Sequence, residues 1–474
     1  MKKLLTVAVS TALLSACSGG ASDAPSSIVA DPVTTPPTVT PIDPAIEARD
    51  NLLTLLDSTS TIGSYEEYIL PDSDDFDNIP QDPSNPITAE KVALGKLVYH
   101  ETAATSEETS KTNMDGTWSC ASCHSAQNGF KSGIRQGIGE GGMGFTHRMV
   151  AEGINPEDVD VQPVTSPTVL NTAYQEVMLW NGQFGNVIGG VVNVGIDEDR
   201  HFTEGTPKEA NLRNFAGLET QAVAGMGVHR MSVSSDSVLT TNEVYQQLYV
   251  DAFGVAQPDD MLEATALAIA AFERTVLANE APFQKYLKGD VDAMTAEEVN
   301  GAEVFFGKGN CHTCHNGPAL SSPVGASADD VFMTVGFHDL DIWEDTIGEV
   351  NEATKHGRGG FTGDELDRFK FKVPPLYNLI DTEVFGHGAS FSSVEDVVRY
   401  KVAAVPQHPQ VEISDLDYRF TPVDLTEEEI ANLIAFLENS LYDADLMRYV
   451  PESLPSGNCP VNNDEVSRQE LGCD

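Results

Sequence analysis

Cys311-His312-Thr313-Cys314-His315 and Cys120-Ala121-Ser122-Cys123-His124 are the two stretches around which the rest of the chain is read. Each is Cys-x-x-Cys-His. At this spacing two thiols can form thioethers with the vinyl groups of one porphyrin, while the next imidazole reaches the iron from one side. Two such motifs imply two covalently bound haem c groups, one held by Cys120, Cys123 and His124, the other by Cys311, Cys314 and His315. A Cys-x-x-Cys pair alone also suits a zinc knuckle or a redox dithiol. The His that follows both pairs, and an export signal upstream, favour haem.

Outward from the motifs, the approach to each shares one plan. In residues 86–99, Val92, Leu94, Leu97 and Val98 recur at helical spacing behind Thr88, which can serve as an N-cap. Thr295-Ala296-Glu297-Glu298 is a capping box, and Val299, Ala302, Val304, Phe305 and Phe306 carry that helix toward Cys311. Thr426-Glu427-Glu428-Glu429 opens a further helix through Ile430, Leu433, Phe436 and Leu437. Residues 261–277 have no helix breaker and read as a buried helix. The fold class predicted is mainly α: two cytochrome c-like haem domains in tandem, with long connecting loops. The N-terminal haem domain is placed at 51–288 and the C-terminal one at 289–445, with a tail at 446–474. The Gly- and acid-rich residues 185–215 read as an excursion loop.

The chain opens with Lys2 and Lys3, an apolar run over 4–14, and Leu14-Ser15-Ala16-Cys17. That run is too short to cross a bilayer and reads as a secretory signal. The small residues before Cys17 resemble a bacterial lipobox, which implies cleavage at 17 and a lipid on the Cys17 sulfur; an ordinary cleaved signal is the alternative. Ser18 where Asp would retain a lipoprotein at the inner membrane is similar to sorted Gram-negative lipoproteins. The address expected is therefore the outer membrane, periplasmic or surface-facing, with membrane contact only through the lipid. Residues 18–50 are Pro-, Thr- and Ser-rich and read as a linker. Cys459 and Cys473 remain once lipid and haems are assigned. In an oxidising compartment they would pair as a disulfide; two free thiols are the alternative. The net charge of −46, from 27 basic and 73 acidic residues, argues against a nucleic-acid partner. It suits a basic redox partner and an acidic exported protein from a saline habitat equally.

Over roughly residues 84–440 the flanking segments resemble the bacterial di-haem cytochrome c peroxidase family, including its MauG-type members. The likeness is carried by Asn85-Pro86-Ile87-Thr88, Leu94-Gly95-Lys96, Ser166-Pro167-Thr168-Val169-Leu170-Asn171, Leu179-Trp180-Asn181-Gly182 and Leu218-Glu219-Thr220-Gln221-Ala222. Toward the C-terminus it continues in Phe371-Lys372-Val373-Pro374-Pro375-Leu376-Tyr377-Asn378 and His387-Gly388-Ala389-Ser390-Phe391. The resemblance implies a peroxide-reacting haem on His124, an electron-transfer haem on His315, Trp180 as a relay between them, and one calcium ion between the domains. It also implies an electron donor such as a small cytochrome c or a cupredoxin.

Two positions depart from the family pattern. The Glu that handles the peroxide proton in the family falls here at Met231, or at Arg230 if one residue is missing. Peroxide cleavage needs a proton acceptor and a donor for the leaving oxygen. His229 is the candidate to shuttle the proton and Arg230 to stabilise the leaving charge; a loop with altered chemistry is the alternative. The sixth-ligand position of the second haem falls on Tyr400, as in MauG-type members, with His387 and His408 as rivals. Glu140 or His147 is a candidate cap of the first iron, although the Gly-rich stretch 137–144 suggests a mobile loop and an open site. Three functions are consistent with these residues: a hydrogen peroxide reductase, a MauG-like oxidase acting on aromatic residues of a protein substrate, and a non-enzymatic di-haem electron carrier.

Overall fold

Gly95 and Gly301 set two helix crossings of the same design. The computed structural model describes residues 43–185 and 192–473; the signal segment, Cys17 and residues 18–42 of the expected linker lie outside them. Thr88 caps the Ala89–Tyr99 helix, its hydroxyl accepting from Lys91 N at 3.2 Å. Thr295 and Glu298 close a reciprocal capping box on the Ala296–Phe306 helix. The first helix packs on Met261–Arg274 and the second on Glu427–Ala435. A Cβ at Gly95 would lie 1.9 Å from Ala268 O, and one at Gly301 2.0 Å from Asn432 O, so only glycine lets each pair of backbones approach this closely. Around the second crossing Phe283, Phe305, Phe306 and Phe436 form a buried aromatic cluster with centroids 4.9–6.4 Å apart.

The structure is rich in helix. The strands among the described residues are two short antiparallel pairs, Gly142–Met143 with Met149–Val150 and Phe332–Thr334 with Lys370–Lys372.

Three expectations are corrected. The linker does not run to residue 50, because a helix spans Pro44–Thr59, capped by Asp43 and burying Leu52 and Leu56. It packs on Ala296–Phe306, and Arg49 donates to Tyr286 O and Leu287 O at 3.0 and 2.9 Å. The stretch 137–144 is no mobile loop. Its carbonyls at Ile138, Gly139 and Gly144 are held by the buried Arg148 guanidinium at 2.7–3.0 Å, which also pairs with Asp464 at 3.2 Å. The excursion at 185–215 contains a helix at Glu198–His201 and a 3-10 turn at Pro207–Arg213.

The last residues do not trail away. Trp118 bridges to Asn462, Ser119 Oγ donates to Val461 O at 2.8 Å, and Cys459 and Cys473 are disulfide-bonded with Cα atoms 5.7 Å apart.

Candidate functional site

Each Cys-x-x-Cys-His stretch is folded by one short turn. Cys123 N and His124 N both donate to Cys120 O, at 3.2 and 3.1 Å; Cys314 N and His315 N both donate to Cys311 O, at 3.2 and 3.0 Å. The turn gathers both thiols and turns the following imidazole back past them. The His124 Nδ1–H donates to Phe130 O at 3.3 Å, with the Pro167 carbonyl also acting on the ring. The His315 Nδ1–H donates to Leu320 O at 3.0 Å and Pro374 O at 3.1 Å. Phe130 and Leu320 are both left-handed, φ 57° and 46°, a backbone conformation uncommon for side chains of this size.

The repeat extends outward. Asn171 and Asn378, four residues beyond Pro167 and Pro374, are left-handed as well, and each donates its N–H to a carbonyl just past the second helix of its crossing, Val276 O or Leu441 O. In both sites Nδ1 is committed to backbone, which leaves Nε2 for a metal. Burial holds both imidazoles down to about 4 and pushes the Cys123 and Cys311 thiols up to about 12, so rings and thiols alike are kept neutral.

Cys120, Cys123 and His124 line a cavity with about 1000 Å³ of empty space, part of it open to solvent. Trp118, Gln162, Gln221, Met226, His229, Met231, Glu273 and Lys372 also line it. Lys372 is the test of fit for a haem. It is buried, its Nζ donates to the neutral Gln175 Oε1, and burial pushes its pKa down to about 7. A buried amine without a carboxylate partner facing this cavity fits a haem propionate, whose charge would hold it protonated. Glu273 is a second group missed in the sequence. It is buried with Oε2 unpartnered, and burial, then the Glu219 charge, raise its pKa to about 8, so it is a neutral acid at pH 7. Among the described residues no three His, Cys, Asp or Glu side chains gather as metal ligands.

His229 reaches the cavity. Its Nδ1 lies 3.0 Å from Asp160 Oδ2 and its Nε2 3.2 Å from Gln162 Nε2. Burial opposes charge on the ring, but Asp160 outweighs it and raises the pKa. Arg230 does not reach the cavity, contrary to expectation. At φ 57° the chain reverses after the Gly217–Val228 helix, and the guanidinium pairs with Glu140 and donates to Asp158 O at 2.7 Å. Glu140 is no iron cap either: its carboxylate accepts from Lys111 N, Thr112 N and Thr112 Oγ1, each at 2.8 Å, and from Ser110 Oγ. His147 is exposed.

Trp180 lies behind the cavity wall. Its Nε1 donates to Thr165 O at 2.9 Å, and its carbonyl accepts from Lys372 N at 2.8 Å. Its ring meets His387 edge-on at 5.7 Å. His387 stacks on Phe371 at 4.1 Å and, with His408, flanks Asp339, at 3.6 and 3.0 Å. Segment 371–374 therefore runs from the first cavity, through Lys372, to the second site's His315, through Pro374 O. Tyr400, on the Val394–Ala403 helix, sits among Phe337, Phe391 and Phe420. Its hydroxyl donates to Val335 O at 2.5 Å and Gly336 O at 3.0 Å, and burial raises its pKa to about 12.

Two Cys-x-x-Cys-His turns on helix crossings of one design, one of them facing a cavity with a buried amine, define a peroxidase-like di-haem oxidoreductase. Residues 89–292 match the family described as di-haem cytochrome c peroxidase, whose cofactors are haem c. The chain is a homologue of these peroxidases and of MauG. It is 26% identical over 365 residues to the methylamine utilization protein MauG of Methylorubrum extorquens, covering 76% of this chain and 81% of that one. It is 28% identical over 336 residues to the cytochrome c peroxidase Ccp of Escherichia coli, covering 70% of this chain and 57% of the relative, so a large part of that relative lies outside the match. In fold it is similar to a crystal structure of a MauG-like protein associated with microbial copper homeostasis, with a TM-score of 0.55 and 21% identity over 80% of this chain and 96% of that one.

Proposed function

We propose that the chain reduces hydrogen peroxide at a haem held by Cys120, Cys123 and His124, and exchanges electrons through a second haem held by Cys311, Cys314 and His315, each in its own cytochrome c-like module. The observation that carries this reading is His229, a base that reaches the first cavity where neither Met231 nor Arg230, the two candidates for the family's Glu position, supplies a carboxylate. When bound, the haem iron supplies the electrons that break the O–O bond. The protein's part is to hold that haem by two thioethers, one imidazole and the Lys372 cation, and to move the peroxide proton at His229 Nε2. Trp180, whose carbonyl is bonded to the segment joining the two sites, lies on the electron path.

The test is stopped-flow mixing of the ferric and of the one-electron-reduced protein with peroxide. Reaction in neither state would leave only the electron-carrier reading. Trp180→Phe is expected to preserve reaction at the first haem and slow electron exchange between the two.

Tyr400 favours a second reading, a MauG-like oxidase of aromatic residues on a protein substrate. If Tyr400 exchanged its bonds to Val335 O and Gly336 O for the second iron it would bind as an anionic phenolate, a donor that favours oxidised iron. On that reading the ferric protein reacts with peroxide without prior reduction, and Tyr400→His abolishes this. In the same proposal the mature chain is an outer-membrane lipoprotein with a small basic redox protein as donor. Palmitate labelling lost in Cys17→Ala is the check on its address.

A further inference from the structure

We propose that Asp160 is a positioning residue for peroxide reduction, fixing His229 in the tautomer whose Nε2 takes up and returns the peroxide proton. The inference rests on the reading of His229 as the proton-handling group of the first cavity.

Of the two residues at the place of the family's Glu, Met231 lines the cavity and carries no charge, and Arg230 is turned away to Glu140. The nearest equivalent comes from a different segment, just after the 3-10 turn Pro156–Asp158. There Asp160, buried, brings Oδ2 to 3.0 Å from His229 Nδ1. On the far side of the ring, Gln162 Nε2 lies 3.2 Å from His229 Nε2. An amide N–H can only donate, so it calls for a lone pair on Nε2; an ionised carboxylate can only accept, so it calls for a proton on Nδ1. Both neighbours select one tautomer, with Nε2 basic.

The backbone is fixed as well. His229 N donates to Gly225 O at 2.9 Å, and Trp118 Nε1 donates to His229 O at 3.1 Å. Space for the carboxylate is provided by Gly139, where a Cβ would lie 2.4 Å from Asp160 Oδ2. The other titratable groups near the ring are His124, Arg230, whose charge is engaged by Glu140, and Lys372 and Glu273 across the cavity. Asp160 is the anion in contact.

In the step assigned here the Gln162 amide yields the Nε2 lone pair to the incoming peroxide, and Nε2 takes the proton from one peroxide oxygen and gives it to the other, which leaves as water carrying that proton and its own. The dyad moves one proton and neither gains nor loses electrons, and Asp160 only orients the imidazole, as the carboxylate of a catalytic triad does.

Cyanide is the probe, because HCN must lose its proton to a base as it binds ferric haem, so its association rate reads the base without turnover. The rate is measured on the ferric holoprotein across the neutral pH range, together with the absorption spectrum. Asp160→Asn is expected to lower the plateau rate about 10- to 100-fold, within the range of general-base effects, with the spectrum retained. Its acid limb should move to lower pH, since the Asp160 charge favours the protonated ring. Asp160→Asn combined with His229→Gln should be no slower than His229→Gln alone, because the two act as one unit. Gly139→Ala, which displaces the carboxylate and keeps its charge, should reproduce the loss; it decides the matter if Asp160→Asn does not retain haem. A wild-type rate in Asp160→Asn, or losses that multiply in the double variant, overturns the role of Asp160 and leaves His229 standing. A wild-type rate in His229→Gln, or wild-type protein that does not bind cyanide, overturns the reading of the cavity itself.

Discussion

Replacing Gly301 by Ala puts one methyl into the crossing that carries the second haem motif. That methyl would lie 2.0 Å from Asn432 O and 2.6 Å from Asn432 C. A carbon next to a carbonyl oxygen normally rests at about 3.3 Å or more, so the Ala296–Phe306 and Glu427–Ala435 helices must part by about 1.3 Å. A gap of that size forfeits more than about half of the dispersion energy of each contact it opens, and overpacking of this kind costs about 1–3 kcal/mol. Opposing it is the helix preference of Ala over Gly, about 1 kcal/mol. The net loss expected is about 0–2 kcal/mol. Gly227→Ala is the control: it lies in the Gly217–Val228 helix, nothing sits within 4 Å of its added Cβ, and it should gain about 0.5–1 kcal/mol. Urea unfolding of the two ferric variants, followed by far-ultraviolet circular dichroism, compares the same chemical change with and without the clash. If Gly301→Ala raises the midpoint as Gly227→Ala does, the close crossing is refuted.

Arg230→Gln leaves the fully buried Glu140 without its cation and should destabilise by about 3–5 kcal/mol in urea; the plateau of the cyanide association rate stays at the wild-type value while its acid limb moves to higher pH, because the Arg230 charge opposes protonation of His229. Burial works against the charge of Asp339, but His387 and His408 hold its carboxyl down to about 2. A folded-state value below the unfolded one means stability that is present above the ordinary carboxylate range and lost as pH falls toward 2; acid unfolding of Asp339→Asn should therefore be flatter than wild type over that interval. Cys473→Ser opens a loop of sequence separation 14 and should cost about 3 kcal/mol, read as a lower urea midpoint that reductant no longer shifts.

Much of the fold is legible where the signal is local. Thr88 and the Thr295–Glu298 box cap the helices they were predicted to cap, because a cap is decided by four consecutive residues. The helix at Pro44–Thr59 was hidden by the Pro- and Asp-rich composition before it; its evidence was the pair Leu52 and Leu56, one turn apart. The site was half legible. The thiols and imidazoles announce themselves by spacing, but Asp160 and Lys372 come from segments far along the chain, and only the tertiary fold brings them to the cavity of Cys120. Arg230 was misplaced for a local reason that propensity does not encode: a left-handed residue directly after a helix sends its side chain away from that of its neighbour, so His229 faces the cavity and Arg230 faces Glu140. The parallel between Pro167 with Asn171 and Pro374 with Asn378 stood in the sequence as a shared four-residue spacing, and became informative only when both prolines were found beside a motif imidazole.

The traffic of segments across residue 288 bears on how this chain can be dissected. A fragment ending there would keep Cys120, Cys123 and His124 but lose Lys372 from the cavity, Val461 and Asn462 from the motif turn, and Asp464 from Arg148. The complementary fragment would lose the Pro44–Thr59 helix, and with it the Thr59 carbonyl that accepts from Asn316, next to His315. A gene cut at residue 288 thus yields two incomplete pieces, and a reference protein with one Cys-x-x-Cys-His motif is better made by silencing one pair of thiols in the undivided chain.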